Sequence, residues 1–567
     1  MNIQKQKLAN YLISAVALIA FLFLLIYSLT SRKAMYDIFS YGSYYIAGLL
    51  IVVWIVQTSL VLKAGRFSLQ GLLKKHWIGI LVALVLTSFV FSSVKVGFKT
   101  LSDETNLLSV SRSMLSNKTV FNCTMGTYYY GNLTPIRQEL PVRPFVFPFL
   151  THLLHVITGY RYQNPFVLNF IIMFLFLSGI YIAARKFLDI SSSIAAMLFV
   201  LAYPVFTVFG TSGGFDLLNS VFFSLAMVAV YNFLKNPSST TFAFVFSSLL
   251  MLANVRYESI IFLFVVPLLL LKRIKWHYLK EYAYLFFAAP LLILPYIWQR
   301  MLKPDSHEPY TDVPLFSVTS LTANTEAILK NLIDFRYFLP YAGFLSIVSI
   351  LILIYLTVEI LRKKIPLENN AKYFTIVLSV SFLVSTLIYL SYFFGYYTHP
   401  SSARFFITFS VVLALVPVAL RVLKPAAISG PAMLMVATVF FLLYHPIAVE
   451  GRFVNTLTLN RRTEHCIDFL SKLNDRNIMV IVERPGQYTA LGYGTVDFTY
   501  ANNNRKPLLN QLDRHLFSKM IVFQQIEYKT NAPTSDTTLH PDYNLHTLYE
   551  IQVSADKFLR ISEITGQ

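Results

Sequence analysis

Apolar runs of about 20 residues, the length that carries a helix across a bilayer, recur along almost the whole of this 567-residue chain. A backbone surrounded by lipid must satisfy its own polar groups, so such runs fold as helices. They fall near 10–29, 43–62, 77–95, 166–185, 190–209, 215–234, 239–254, 257–272, 281–299, 337–361, 372–396, 402–421 and 428–447, which makes about thirteen spans. The pair meeting at Asn254–Ser259 can also be read as one broken helix. Composition agrees: 56% of residues are hydrophobic and 13% are charged, where a soluble domain carries about a quarter charged. The expected fold class is an α-helical polytopic membrane protein.

The formal charge of +19 sits mostly in short clusters between apolar runs. With Lys5 and Lys7 placed in the cytoplasm, the inner loops contain Lys63, Arg66, Lys74 and Lys75, then Arg185 and Lys186. Further inner loops hold Lys272, Arg273, Lys275 and Lys280, then Arg362–Lys364, then Arg421 and Lys424. That is the positive-inside pattern, with Arg32 and Lys33 as the main exception. The basic residues form no stripe interleaved with exposed aromatics, so nucleic acid is not an expected partner. The run Tyr11–Thr30 has no clear small-x-small cleavage site and reads as a retained first helix. Cys123 and Cys466 both fall outside under this topology, where a disulfide and two thiols fit equally well.

Three longer polar segments also fall outside: 96–163, 300–336 and the tail 448–567. In the first, Pro141, Pro144 and Pro148 within an aromatic stretch predict short helices along the membrane surface. The run Tyr128–Tyr130 reads as interfacial aromatic belt. Asn117-Lys118-Thr119, Asn122-Cys123-Thr124 and Asn132-Leu133-Thr134 match the short N-glycosylation pattern, which chance also produces. In the tail, Glu464–Leu473 has helical spacing, while Ile478–Val482, Met520–Phe523 and Leu548–Val553 look like strands, giving a small α/β domain.

The residues that could carry chemistry gather at the outer ends of helices. Asp103-Glu104 follow a membrane span and open a stretch with helical spacing. Partial desolvation there suits a general base, and helix-start acids are the plainer reading. Arg256 and Glu258 are wedged between two apolar runs, where charges are expensive unless paired or functional. They can pair with each other, or Arg256 can hold a phosphate with its planar fork. Arg404 opens a helix from the outer side, against the helix dipole, and can either snorkel or meet a lipid phosphate. Asp216 begins another helix on that side as a helix-start acid or a supporting carboxylate. Arg143 is a further cation there, and His399 is a weak loop candidate.

In order along the chain, this arrangement resembles the GT-C glycosyltransferases, particularly the branch with protein O-mannosyltransferases and lipid A aminoarabinose transferases. Asp103-Glu104 looks like their acidic pair in the first outer loop. Arg143-Pro144-Phe145-Val146-Phe147-Pro148 is similar to their surface segment, and Arg404-Phe405-Phe406 to their late arginine-aromatic motif. The resemblance covers about residues 77–447, leaving 1–76 as two additional N-terminal helices and 448–567 as the tail domain. It implies an inverting transferase that uses a polyprenyl-phosphate sugar donor and a lipid, glycan or protein acceptor on the extracytoplasmic face. Asp103 would be the base, Glu104 would orient it or the acceptor, and Arg404, Arg256 and Arg143 would hold the donor phosphate. Glu258, Asp216 and His399 would be supporting residues. No metal is expected, because arginines can neutralise the phosphate; some relatives use a divalent ion, which Asp103 and Asp216 could bind. A prokaryotic plasma membrane is the expected location. The rival classes are a transporter or lipid flippase, which typically shows internal repeats and charges near helix midplanes, and a catalytically silent scaffold.

Overall fold

A computed structural model describes residues 3–65, 68–129, 132–273, 283–302, 314–333, 342–395, 400–450, 458–473 and 475–565. The chain divides into two compact units. One comprises residues 1–97, 144–149 and 166–453; the other comprises 98–143, 150–165 and 454–567.

The first unit is a bundle of apolar helices. It opens with α1 (Ile3–Thr30), α2 (Arg32–Ala64) and α3 (Leu69–Ser93). Several helix starts are fixed locally by side-chain caps. The hydroxyl of Ser68 accepts from the Gly71 amide, Asp189 caps the Ser192 amide, and Ser238 forms a reciprocal capping box with Thr241. Among the described residues, ten helices are long and apolar enough to cross a membrane, or eleven if one bent pair counts as a span. With so many, the protein is an integral membrane protein.

The expected thirteen spans are therefore not matched in number, although each of the apolar runs lies largely on helix. The run at 190–209 breaks after Leu201. Pro204 cannot continue a helix entered from Tyr203, so two shorter helices meet at 76°. The runs at 239–254 and 257–272 give a 17-residue helix ending at Val255 and a shorter helical segment, Tyr257–Leu271. They are separated by extended backbone at Arg256, so neither has the length of an independent span.

Residues Thr211–Phe215 are buried yet not helical, which lipid-facing backbone could not be. Asn169, fully buried, donates to the carbonyls of Ser212 at 2.7 Å and Gly214 at 2.9 Å.

The second unit is built on one seven-stranded sheet. Its strands are β1 (Asn122–Tyr129), β2 (Asn132–Glu139), β3 (Ile478–Val482), β4 (Gly494–Val496), β5 (Lys519–Glu527), β6 (Leu545–Gln552) and β7 (Lys557–Ile564). The order is β2-β1-β4-β3-β5-β7-β6, with β4, β3 and β5 parallel and the remaining pairs antiparallel.

Strict alternation on β3 shows why the core forms here. Ile478, Val480 and Val482 enter one buried cluster with Cys466, Leu470, Tyr488 and Phe523. Met479 and Ile481 enter another with Val496, Phe498, Leu508 and Tyr543. The expected tail helix and three strands are all present. The β1–β2 hairpin, which comes from the loop expected at 96–163, extends the tail's own sheet, a grouping that the expected division at 448 did not anticipate. Both cysteines are buried and free.

Candidate functional site

In the second unit the helix Leu101–Asn117 carries Asp103 and Glu104 in its first turn. Its middle is secured by Arg112, whose guanidinium lies 4.7 Å from the Tyr128 ring centre and 4.3 Å from that of Tyr160, and which donates to the Thr489 carbonyl at 3.5 Å. Tyr128 also donates to that carbonyl, at 3.3 Å. Tyr128 is thus part of this packing; the side chain of Tyr129 and the whole of Tyr130 lie outside the described residues.

The two acids separate into different tasks. Glu104, 2% exposed, accepts the backbone amides of Lys99 at 2.6 Å and Thr100 at 3.1 Å. It therefore holds the turn that starts the helix, where Thr100 supplies no side-chain cap. Asp103 points to Arg143, which donates through Nη2 at 2.6 Å and Nε at 3.1 Å to the same carboxylate oxygen, Oδ1. Arg143 remains one-third exposed, so this pair borders water.

Beneath these residues is a buried polar network. His155 meets Ser111 at 3.1 Å through Nε2 and Asn164 at 2.6 Å through Nδ1. Burial holds His155 and His152 down at about 4 and pushes the Cys123 thiol up to about 11.

The first unit contains the second cluster. Asp216 opens the helix Asp216–Lys235, and its Oδ1 accepts from Arg256 Nη1 at 2.6 Å. Its Oδ2 lies 3.8 Å from Arg404 Nη1. Arg256 Nε donates to Glu258 at 3.1 Å. Arg256 and Asp216 are each 3% exposed and Arg404 7%, whereas the Glu258 side chain is one-third exposed.

Phe405 presents its ring to both cations, 4.6 Å from Arg256 and 5.6 Å from Arg404, and Tyr389 stacks on it at 5.6 Å. Arg256 thus pairs with Glu258, one of the two readings of the sequence, and also shares the Asp216 carboxylate with a second arginine. One turn further along the same helices, Asn219, Phe223, Phe262, Phe382, Tyr389 and Thr408 are among the residues lining a narrow recess with room for about one water molecule.

The structure groups Asp103 with Arg143, and Asp216 with Arg256, Glu258 and Arg404. Arg143 therefore meets Asp103 of the acidic pair. His399 lies outside the described residues. Tyr389 and Asn169 escaped the sequence reading. An asparagine within an apolar run was a legible signal, while nothing distinguished Tyr389 from neighbouring aromatics. Among the described residues no group of three or more His, Cys, Asp or Glu could hold a metal. Asp216, with both oxygens facing guanidinium groups, does not fit a cation.

An apolar bundle of this kind, with a mixed α/β unit drawn from the first loop and the tail, defines the class: a membrane protein of GT-C fold. The solved structures similar to it include ArnT from Cupriavidus metallidurans bound to undecaprenyl phosphate. That match has a TM-score of 0.50 and 12% identity, covering 88% of this chain and 98% of that one. At this identity the likeness speaks for the fold alone. The oligosaccharyltransferase of Archaeoglobus fulgidus in the apo form matches at TM-score 0.42 and 11% identity over 80% and 70% of the two chains. The mycobacterial arabinofuranosyltransferase AftD matches at 0.44 and 12% over 87% and 40%. These two carry no further weight. No protein-family model and no curated protein sequence matches the chain.

Proposed function

We propose that this protein is a membrane glycosyltransferase that moves a sugar, with inversion, from a polyprenyl-phosphate donor to an acceptor on the extracytoplasmic face. The observation that carries this reading is the buried arginine pair, Arg256 and Arg404, sharing Asp216 in the membrane unit. Buried charge is costly and is kept where it is paired and used. Two guanidinium groups suit a lipid phosphate, whose negative charge grows as the sugar leaves.

In the other unit Asp103 is the base that takes the acceptor's proton. Glu104 holds the turn beneath it, and Arg143 orients the carboxylate through two hydrogen bonds to one oxygen. Charge neutralisation by arginine lets this chemistry proceed without a resident metal.

The test is sugar release from a panel of polyprenyl-phosphate sugars by purified protein in lipid. Asp103→Asn should lower the rate by about 10²- to 10⁴-fold, the usual contribution of a general base. Arg404→Gln should lower it by about 10²-fold or more, as expected for a group stabilising developing charge. Wild-type rates in both folded variants would remove the assignment, and folded wild-type protein inert towards every donor would remove the transferase reading.

A further inference from the structure

Between the β1–β2 hairpin and the next span lies a helix whose pattern of burial is reversed. This is α5 (Val146–Thr158), which follows α4 (Leu101–Asn117), the helix that carries Asp103. On α5 the polar side chains Thr151, His152 and His155 are 1%, 2% and 1% exposed, while the apolar Leu153, Val156 and Ile157 are 42%, 59% and 79% exposed. At 3.6 residues per turn the two sets occupy opposite faces. A helix bathed in water turns its apolar face inward. Here that face is turned outward, and α5 contains no Asp, Glu, Lys or Arg.

What covers the face follows from where the helix begins. Val146–Phe149 belong to the first unit and Leu150–Thr158 to the second. Within the first unit Phe149 packs on Tyr44 of α2, with ring centres 5.4 Å apart, and Phe145 packs on Phe39 at 5.7 Å. α2 has 33 residues, about 50 Å of helix against about 30 Å of hydrocarbon. Counted back from Lys63 near its end, a span of about 20 residues reaches Tyr44. Tyr41 and Tyr45 are exposed at that level, as tyrosines of an interfacial belt are. α5 therefore starts at the headgroup boundary. Gly159, at φ +77°, ends it, and exposed Arg161 follows, a cation suited to lipid phosphate.

We infer that α5 is seated in the lipid leaflet nearest the start of α2, with Leu153, Val156 and Ile157 among the acyl chains. The seat also sets a height. His155, on the inward face, meets Ser111 of α4 at 3.1 Å, so the helix that carries Asp103 is tied to one held at the membrane surface. The seat stands on the burial pattern alone, whereas the importance of the height rests on the transferase reading.

The test attaches bimane to Leu153→Cys, to Ile157→Cys and, as a control, to Lys472→Cys, whose native side chain is 77% exposed on a charged helix. The full chain is held in nanodiscs of phosphatidylcholine and phosphatidylglycerol, quenched either by 5-doxyl-phosphatidylcholine or by aqueous iodide. Native Cys123 and Cys466 are buried, and unsubstituted protein treated in parallel gives the background. Doxyl lipid should quench positions 153 and 157 at least threefold more than 472, and iodide should do the reverse. Iodide quenching as strong at 153 and 157 as at 472 would overturn the seat, since the face would then lie in water. Quenching there by neither agent would overturn it too, with another protein or a second copy over the face. For the height, Ile157→Glu should lower donor turnover at least fivefold and Ile157→Leu should not; equal turnover in both overturns the tie to α4. Wild-type protein without turnover would refute the transferase reading, and the quenching would still decide the seat.

Discussion

Replacing Arg256 by Met tests whether the buried cluster in the membrane unit is as interdependent as its geometry states. The substitution keeps an unbranched side chain of similar reach, so packing against Phe405 largely survives. What is lost is the 2.6 Å bond to Asp216 and the 3.1 Å bond to Glu258. Glu258 is one-third exposed and returns to water, so its share is below about 1 kcal/mol. Asp216 cannot, being 3% exposed. Leaving one partner of a buried pair behind costs about 3–5 kcal/mol. Arg404 stands 3.8 Å from the other oxygen and can close part of that gap, which favours the lower end, about 3 kcal/mol. Adding Asp216→Asn removes the stranded charge, so the double variant should be less destabilised than the sum of the singles by about 2 kcal/mol. Equilibrium unfolding in bicelles against increasing detergent, with activity as a second readout, measures all four corners of the cycle. A single-variant cost under about 1 kcal/mol, in the range of surface ion pairs, or strict additivity, would refute the coupling.

Glu104→Ala should destabilise the second unit by about 1–3 kcal/mol, because two backbone amides at Lys99 and Thr100 lose their acceptor, as read by thermal unfolding. His152 and His155 are held neutral at about 4 in the folded state against an ordinary 6.5. The unfolded chain therefore takes up protons first as pH falls. Stability is full above 6.5, declines between 6.5 and 4, and levels off below. The loss is about 1–3 kcal/mol per histidine, and unfolding midpoints across that range should show a shallower slope for His155→Gln. Cys123 and Cys466, buried with thiols pushed up to about 11 and about 12, should resist a thiol reagent at pH 8 in the native protein and titrate as two free thiols once unfolded.

The sequence by itself determined the membrane class, because the spans are written in contiguous residues and a helix closes its hydrogen bonds within its own segment. It also located Asp103, Glu104, Asp216, Arg256 and Arg404, since a charge beside an apolar run stands out without any knowledge of its neighbours. The tail's β3 was legible for the same reason: five consecutive apolar residues with β-branched neighbours fit a strand covered on both faces.

Tertiary structure decided what the sequence could not state. Only folding pairs Arg256 with a carboxylate 40 positions away in Asp216, and Arg143 with Asp103. It divides the acidic pair, both members of which are buried, because Glu104 turns to the backbone amides of Lys99 and Thr100 while Asp103 turns to Arg143. The β1–β2 hairpin joins strands more than 350 residues distant, as in Gly126 beside Thr495, and strand pairing at such separation leaves no local pattern. Span length was the remaining gap: hydropathy marks where apolar residues are, but Pro204 and the extended backbone at Arg256 decide where a helix stops.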